Sequence, residues 1–220
     1  MGSTGPGEAL PRCSWPIQNQ GVPSDSEAEP STRPPRWSGA TRFPDMWVDP
    51  DEDPRESVDA GTGERAVLAG YLDRYRLTLE MKCQGLNPEQ LARRSVAPST
   101  MSLLGLVRHL ARVEHSWFRR FIEGQRDVPR LYDSSDDPDF DFDGALADDE
   151  VVNEAWYTWR SEVAHSREVY ATLEDLGAMV GPERNQLEVR DVLVHMIEEY
   201  ARHCGHADLL RERIDGRIGQ

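Results

Sequence analysis

Cysteine is scarce in this sequence: Cys13, Cys83 and Cys204 are three in 220 residues, and they lie far apart. An odd, scattered set argues against a disulfide framework and against a zinc site made of cysteines alone. Long apolar runs are also missing, since no segment approaches the roughly 20 apolar residues of a membrane-spanning helix. The N-terminus lacks the basic stretch and apolar core of a signal peptide. We therefore expect a soluble protein of the reducing cytoplasm.

Basic residues are also fewer than acidic ones. The chain has 25 Lys and Arg against 40 Asp and Glu, for a net charge of −15. Such a surface repels nucleic acids and anionic membranes, so we expect neither as a partner, and a small-molecule substrate instead. Acidic side chains with no basic ones among them fill residues 133–150. This run lacks the glycine and glutamate spacing of an EF-hand loop, which predicts a solvated acidic loop.

The N-terminal part of the chain is rich in proline: ten of the fifteen prolines fall in residues 1–54. A segment of Pro, Gly, Ser and acidic residues buries too little apolar surface to offset its ordering entropy. We therefore predict a disordered tail over residues 1–60 and a folded domain over residues 61–220. Three tryptophans in the tail are exceptions that we expect to be solvated, although one of them could dock on the domain: Trp15, Trp37 and Trp47. Met46 offers an alternative start of translation.

Four segments after residue 60 carry apolar residues at helical spacing. They cover about 64–83, about 99–123, about 149–176 and about 187–216. No segment shows the sustained two-residue alternation of a strand, so we predict no sheet. The connection over residues 125–148 is longer than antiparallel neighbours need, and long crossovers join parallel helices. The predicted fold is all-α, a four-helix bundle with a long crossover between helices two and three.

The fourth helix places polar residues within its apolar arc. At 100° per residue, that arc is defined by Val192, Met196 and Leu210, and both Glu199 and His203 fall inside it. A buried carboxylate is costly unless it is paired or bound to a metal. Because Glu199 and His203 are four residues apart, they can share an ion. A Glu–His hydrogen bond explains this helix equally well.

His109 adds a third candidate ligand on the second helix. It lies at the margin of a core stripe formed by Leu106, Leu110, Val113, Trp117 and Phe121. Two histidines and a carboxylate on facing helices suit a divalent metal and leave positions for water or substrate. We predict zinc first, with nickel, iron or manganese as alternatives.

The remaining candidates are interpreted as structural. His115 falls on the far side of the second helix and His165 stands alone on the third, so both are predicted to be surface residues. Glu114 is predicted to be a solvated helix charge, and Cys204 to pack in the interior.

Two stretches resemble a known family. Residues 106–114, LVRHLARVE, with Trp117 and Phe118 behind them, resemble the second helix of the DinB/YfiT-like superfamily. Residues 195–208, HMIEEYARHCGHAD, resemble its fourth helix. The similarity covers about residues 62–216 and implies a four-helix bundle.

The resemblance also implies a metal site. A histidine on helix two and a pair four apart on helix four hold the metal in this superfamily, which corresponds to His109, Glu199 and His203. Many members have histidine where this chain has Glu199, and glutamate there resembles the branch with the mycothiol-dependent maleylpyruvate isomerase. His206 stands where many members have glutamine, so we assign it a substrate-facing, catalytic role.

The implied function is a metal-dependent S-transferase or isomerase that uses a low-molecular-weight thiol such as mycothiol. The metal would hold the thiol as a thiolate, and His206 or Glu114 would move a proton. A metal-dependent hydrolase is the second interpretation, because the same site would lower the pKa of bound water to about 7. A non-enzymatic, metal-stabilised ligand-binding or stress-response module is the third. Basic side chains beside the site would favour the first. The protein is expected to be a monomer or a homodimer.

Overall fold

The computed structural model describes residues 34–59 and 61–220. The helices in chain order are α1 (Glu64–Cys83), α2 (Pro88–Ala92), α3 (Leu103–His115), α4 (Phe140–Asp143), α5 (Asp149–Thr172) and α6 (Val189–Asp215). A 3-10 turn covers Pro54–Ser57, and a π-helical stretch, Ser116–Ile122, continues α3. The predicted all-α fold is confirmed, with α1, α3, α5 and α6 as the four long helices. Within the described ranges, no helix is long and apolar enough to cross a bilayer.

Side-chain hydrogen bonds cap the starts of α3 and α5. Asp148 accepts hydrogen bonds from the first backbone N–H groups of α5, as its position before the helix predicts. The second long helix begins at Leu103, a few residues later than the predicted start near residue 99. Ser102 is its N-cap and accepts a hydrogen bond of 3.0 Å from the Gly105 N–H. At the same end of the bundle, α6 stops at Gly216, whose φ of 84° is left-handed.

Helices α3 and α5 run parallel. Their side-chain contacts advance in the same direction along both: Arg108 with Glu154, His115 with Glu162, and Glu123 with His165. Two consecutive parallel helices need a connection that runs back along the length of the bundle. The residues between Ile122 and Asp149 form this connection. The predicted long crossover is therefore confirmed.

Helix α6 runs antiparallel to α3 and parallel to α1. Against α3 the contacts pair early residues with late ones: Trp117 with His195, Glu114 with Tyr200, and His109 with His203. Against α1 they advance together: Glu64 with Arg190, Tyr75 with Cys204, and Lys82 with Asp208. The apolar core lies between these helices, and Val192, Met196 and Leu210 are buried in it as predicted.

A short antiparallel ladder lies between α5 and α6. Strand β1 (Met179–Val180) pairs with strand β2 (Leu187–Glu188). The prediction of no sheet is therefore wrong in this one place. Two residues per strand are too few to show a two-residue period, so the pattern carried no signal.

The segment before α1 packs on the bundle. Trp47 is 1% exposed, and its ring faces three cations. Arg217 Cζ lies 3.8 Å, Lys82 Nζ 4.0 Å and Arg211 Cζ 5.3 Å from the ring centroid. The Trp47 N–H donates a hydrogen bond of 3.2 Å to the Gln220 carbonyl. The expectation that Trp47 is solvated is therefore wrong.

The partners of Trp47 come from α1, α6 and the C-terminal residues, which no local pattern predicts. Trp37 is 44% exposed and pairs with Arg217 through the backbone. Trp15 and Cys13 lie outside the described residues.

Candidate metal centre

The antiparallel packing of α3 and α6 brings the three predicted ligands together. His109, Glu199 and His203 each offer one ligand atom, and these atoms lie within 4.8 Å of one another. The Glu199 Oε2 atom is 3.5 Å from His203 Nε2 and 3.7 Å from His109 Nε2. The carboxylate therefore stands between the two imidazoles, in a grouping that could hold a metal ion.

Asp141 orients the imidazole of His109. The His109 Nδ1–H donates a hydrogen bond of 2.8 Å to Asp141 Oδ2, which turns Nε2 towards Glu199. The ring of His109 also stacks on Phe142, with centroids 5.0 Å apart. A carboxylate behind a histidine ligand sets its tautomer and raises its basicity.

Asp141 belongs to α4, inside the run that the sequence predicts to be a solvated acidic loop. That prediction is wrong at Asp141, which is buried. Phe140 and Phe142 flank it, and these aromatic neighbours were the available signal that part of the run packs against the domain.

The charges of the centre stabilise one another. Hydrogen bonds with His109 and then His203 hold the pKa of Glu199 well below its usual value. Burial alone would lower the pKa of His109, but its hydrogen bonds to Asp141 and Glu199 outweigh this and raise the pKa. The donor set also fits a metal. Two imidazole nitrogens and one carboxylate oxygen, with a second carboxylate behind one imidazole, are ligands that zinc and similar first-row ions take in proteins.

His195 extends the cluster by one turn of α6. Its Nε2 lies 3.4 Å from Glu199 Oε1, and its ring packs against Trp117 with centroids 4.6 Å apart. Sequence analysis did not select His195 as a candidate. Its spacing of four residues from Glu199 was a usable signal, since residues four apart meet on one helix face.

His206 contacts the opposite side of His203. The two Nδ1 atoms are 3.3 Å apart, whereas His203 Nε2 faces Glu199. Burial and then the neighbouring His203 lower the pKa of His206. This placement gives His206 a positioning contact with a candidate ligand, and its catalytic role stays a prediction.

Glu114 is part of the core. It is 0% exposed, and Arg76 donates to both of its oxygens at 2.8 Å. The Tyr200 hydroxyl donates to Glu114 Oε1 at 2.8 Å and accepts from Trp159 Nε1–H at 2.9 Å. The prediction of a solvated charge is wrong because α1 and α6 supply buried partners. Because both oxygens of Glu114 are bound by these partners, Glu114 is not available to carry a proton at the candidate metal centre.

His115 and His165 were predicted to be surface residues, and this prediction is wrong for both. His115 is 3% exposed, because α5 packs alongside α3 and covers it. Its Nε2–H donates to the Pro129 carbonyl at 3.0 Å, and its Nδ1 lies 3.5 Å from Glu162. His165 is half-buried, and its Nε2 is 2.7 Å from Glu123.

Cys204 packs in the interior, as predicted. Burial raises the pKa of its thiol to about 12, so it stays protonated at neutral pH and is a poor nucleophile.

A cleft of about 550 Å³ opens beside the centre. Four arginines line it, Arg112, Arg120, Arg126 and Arg130, together with the rings of Trp117 and Phe121. Two contacts connect it to the centre. Trp117 packs on His195, and Arg112 NH1 lies 3.4 Å from Asp141 Oδ2.

Replacing Asp141 with asparagine should weaken metal binding about 10- to 100-fold, which is the usual effect of losing the partner behind a histidine ligand. The change keeps the shape of the side chain and removes the charge that faces His109. Zn²⁺ affinity would be measured by competition with a chelating dye. Asp139→Asn is the matched control, because Asp139 is exposed in the same acidic run. Equal affinities of Asp141→Asn and wild type would contradict the assignment of Asp141.

A family model described as mycothiol-S-transferase matches residues 67–216. The match contains the three candidate ligands, Asp141 and all of α3, α5 and α6. Neither the curated proteins nor the solved structures gave a match to this chain.

Proposed function

We propose that this protein is a metal-dependent enzyme that joins the sulfur of a low-molecular-weight thiol to an electrophilic small molecule. The proposal starts from the family, because this chain belongs to the mycothiol S-transferase family. Mycothiol is the thiol that the family suggests. The observation that carries the proposal is the convergence of His109, Glu199 and His203. The family indicates the class of reaction, and this cluster is the site where the reaction would take place.

His109 Nε2, the Glu199 carboxylate and His203 Nε2 would hold the ion, with zinc first and nickel, iron or manganese as alternatives. Such a cation, when bound, lowers the pKa of a thiol and keeps it as the nucleophilic thiolate at neutral pH. Three protein ligands are the number that catalytic zinc sites use, in contrast to the four of a closed structural site.

The protein side chains around the ligands prepare the reaction. Asp141 sets the tautomer of His109, and His206 contacts the other ring nitrogen of His203. In the transfer, the thiol loses its proton and a sulfur–carbon bond forms. The electron pair moves to the leaving group or to the adjacent double bond of the electrophile. We assign His206 the role of accepting this proton, because its half-buried imidazole contacts the candidate ligand His203.

The proposal extends to the setting of the protein. Cys83 and Cys204 are buried free thiols, which supports a reducing compartment, and we propose the cytoplasm. We also propose that it acts on small molecules as a monomer or homodimer.

Cobalt substitution tests the proposal. Adding mycothiol or N-acetylcysteine to the Co²⁺-loaded protein should produce a sulfur-to-metal charge-transfer band in the near ultraviolet. The band should disappear in His203→Ala, which loses a ligand. It should persist in His206→Ala, which keeps all three ligands.

A spectrum that no thiol perturbs would contradict the proposal. Metal-dependent hydrolysis, or a closed site that only stabilises the fold, would then explain the cluster better.

A further inference from the structure

The arginine cleft beside the centre concentrates positive charge in an acidic protein. Its lining includes Arg112, Arg120, Arg126 and Arg130 but no Asp or Glu, although acidic residues outnumber basic ones by 40 to 25 in the chain. Like charges held this close repel one another. Water screens much of this repulsion, because Arg126 and Arg130 are exposed, and a cluster without an acidic side chain in its lining attracts an anion.

Three of these guanidinium groups are free of carboxylates. Across residues 34–59 and 61–220, Arg120, Arg126 and Arg130 form no ion pair with Asp or Glu, whereas Arg119 on the same stretch pairs with Glu162 at 2.7 Å. Arg120 donates to the backbone carbonyls of Arg126 and Val128, which fixes the loop that carries the other two arginines. The loop is thus held with its charge facing the cleft.

The cleft adjoins the proposed reaction centre through residues of α3 and the π-helical stretch that follows it. Arg112 and Ser116 continue the face of α3 that carries His109, at spacings of three and four residues. Trp117 lines the cleft and packs on His195, which lies 3.4 Å from Glu199. A molecule in the cleft would therefore have one end among arginines and the other near the candidate ligands.

We infer that this cleft binds the anionic group of the electrophilic co-substrate, a carboxylate or a phosphate attached to a flat unsaturated or aromatic skeleton. The inference rests on the proposed function. Arginine forks match carboxylate and phosphate oxygens in pairs, which gives both charge and orientation. Trp117 and Phe121, with ring centroids 5.0 Å apart, supply the apolar wall for the skeleton. The anion would anchor the molecule in the cleft, and the rest of the molecule would lie on the side of Trp117 and Arg112, next to the candidate ligands.

Binding of unreactive probes tests this assignment without turnover. The Zn²⁺-loaded protein would be titrated calorimetrically with 3-nitrobenzoate and with its neutral twin, 3-nitrobenzamide. We expect the benzoate to bind about tenfold more tightly, as one charge-assisted contact provides. Inorganic phosphate should compete with the benzoate if the cleft takes phosphate esters, and should fail to compete if it takes carboxylates alone.

Arginine variants locate the site. Arg126→Gln and Arg130→Gln should each weaken benzoate binding about threefold to tenfold and leave benzamide binding unchanged. Arg93→Gln is the matched control, because Arg93 is exposed at the end of α2 and the change in net charge is the same. Equal binding of benzoate and benzamide, or an equal loss in Arg93→Gln, would overturn the inference.

The outcome is separable from that of the cobalt experiment. A thiol band without selective benzoate binding would overturn the role of the cleft and leave the transferase standing. Selective benzoate binding without any thiol band would support the anion site and count against the transferase. If Arg126→Gln weakens the thiol titration and not the benzoate titration, the cleft serves the thiol and the inference is wrong.

Discussion

Replacing His203 with alanine should lower the affinity for Zn²⁺ by more than about a hundredfold while the protein stays helical. Losing a partner behind a ligand costs about 10- to 100-fold, and losing a ligand itself should cost more. The helices should remain because the apolar core of Val192, Met196 and Leu210 packs independently of the metal. His109→Ala and Glu199→Ala should behave in the same way.

Metal content after dialysis, measured by mass spectrometry, checks this expectation, with circular dichroism as the measure of folding. His165→Ala is the control, since this half-buried histidine on α5 pairs with Glu123 away from the cluster. His115 is unsuitable as a control because it is buried between α3 and α5. If all three ligand variants keep a full equivalent of metal, the ion binds elsewhere.

Replacing Glu114 with alanine should reduce the free energy of unfolding by about 3–5 kcal/mol, the usual effect of breaking a buried ion pair. Arg76 would lose both Glu114 oxygens and keep only Asp73, which accepts from its NH1 at 2.9 Å. The Tyr200 hydroxyl would also lose its acceptor. For a domain of this size the melting temperature should fall by roughly 10 °C.

Urea denaturation of three variants separates the causes. Glu114→Gln keeps the shape and an acceptor for Tyr200 and should lose less stability than Glu114→Ala. Glu168→Ala, at an exposed position on α5, should stay within about 0.5 kcal/mol of wild type. A Glu114→Ala protein as stable as wild type would show that the carboxylate is not buried against Arg76 in solution.

Helical periodicity suggested the three candidate ligands, although it explained Glu199 and His203 equally well by a hydrogen bond between them. The spacing of Glu199 and His203 puts both on one face of α6, and the apolar residues around them mark that face as buried. His109 lies at the margin of the apolar stripe of α3. These features are local, since each is set by positions within one helix, and a single sequence contains them. The length of the connection between α3 and α5 likewise predicted that these two helices run parallel, because that length can be read directly from the sequence.

Partners distant in the chain were decided by the tertiary structure. Asp141 reaches His109 from the crossover, and Arg76 reaches Glu114 from α1. Periodicity indicates that a position is buried but does not identify the polar group that meets it. For that reason Glu114 was predicted to be solvated, and Asp141 was missed.

The docking of Trp47 and the arginine cleft show the same limit. Trp47 is buried by cations from α1, α6 and the C-terminal residues, and the arginine cleft of residues 112–130 is completed by Pro182 and Asn185 from between β1 and β2. The sequence by itself determined where the long helices lie, that α3 and α5 run parallel, and that Glu199 and His203 share one helix face, because these features depend on spacing along the chain. Only the tertiary structure decided which charges are paired, which are buried and which remain free to bind an anion, because these depend on contacts between segments far apart in the chain.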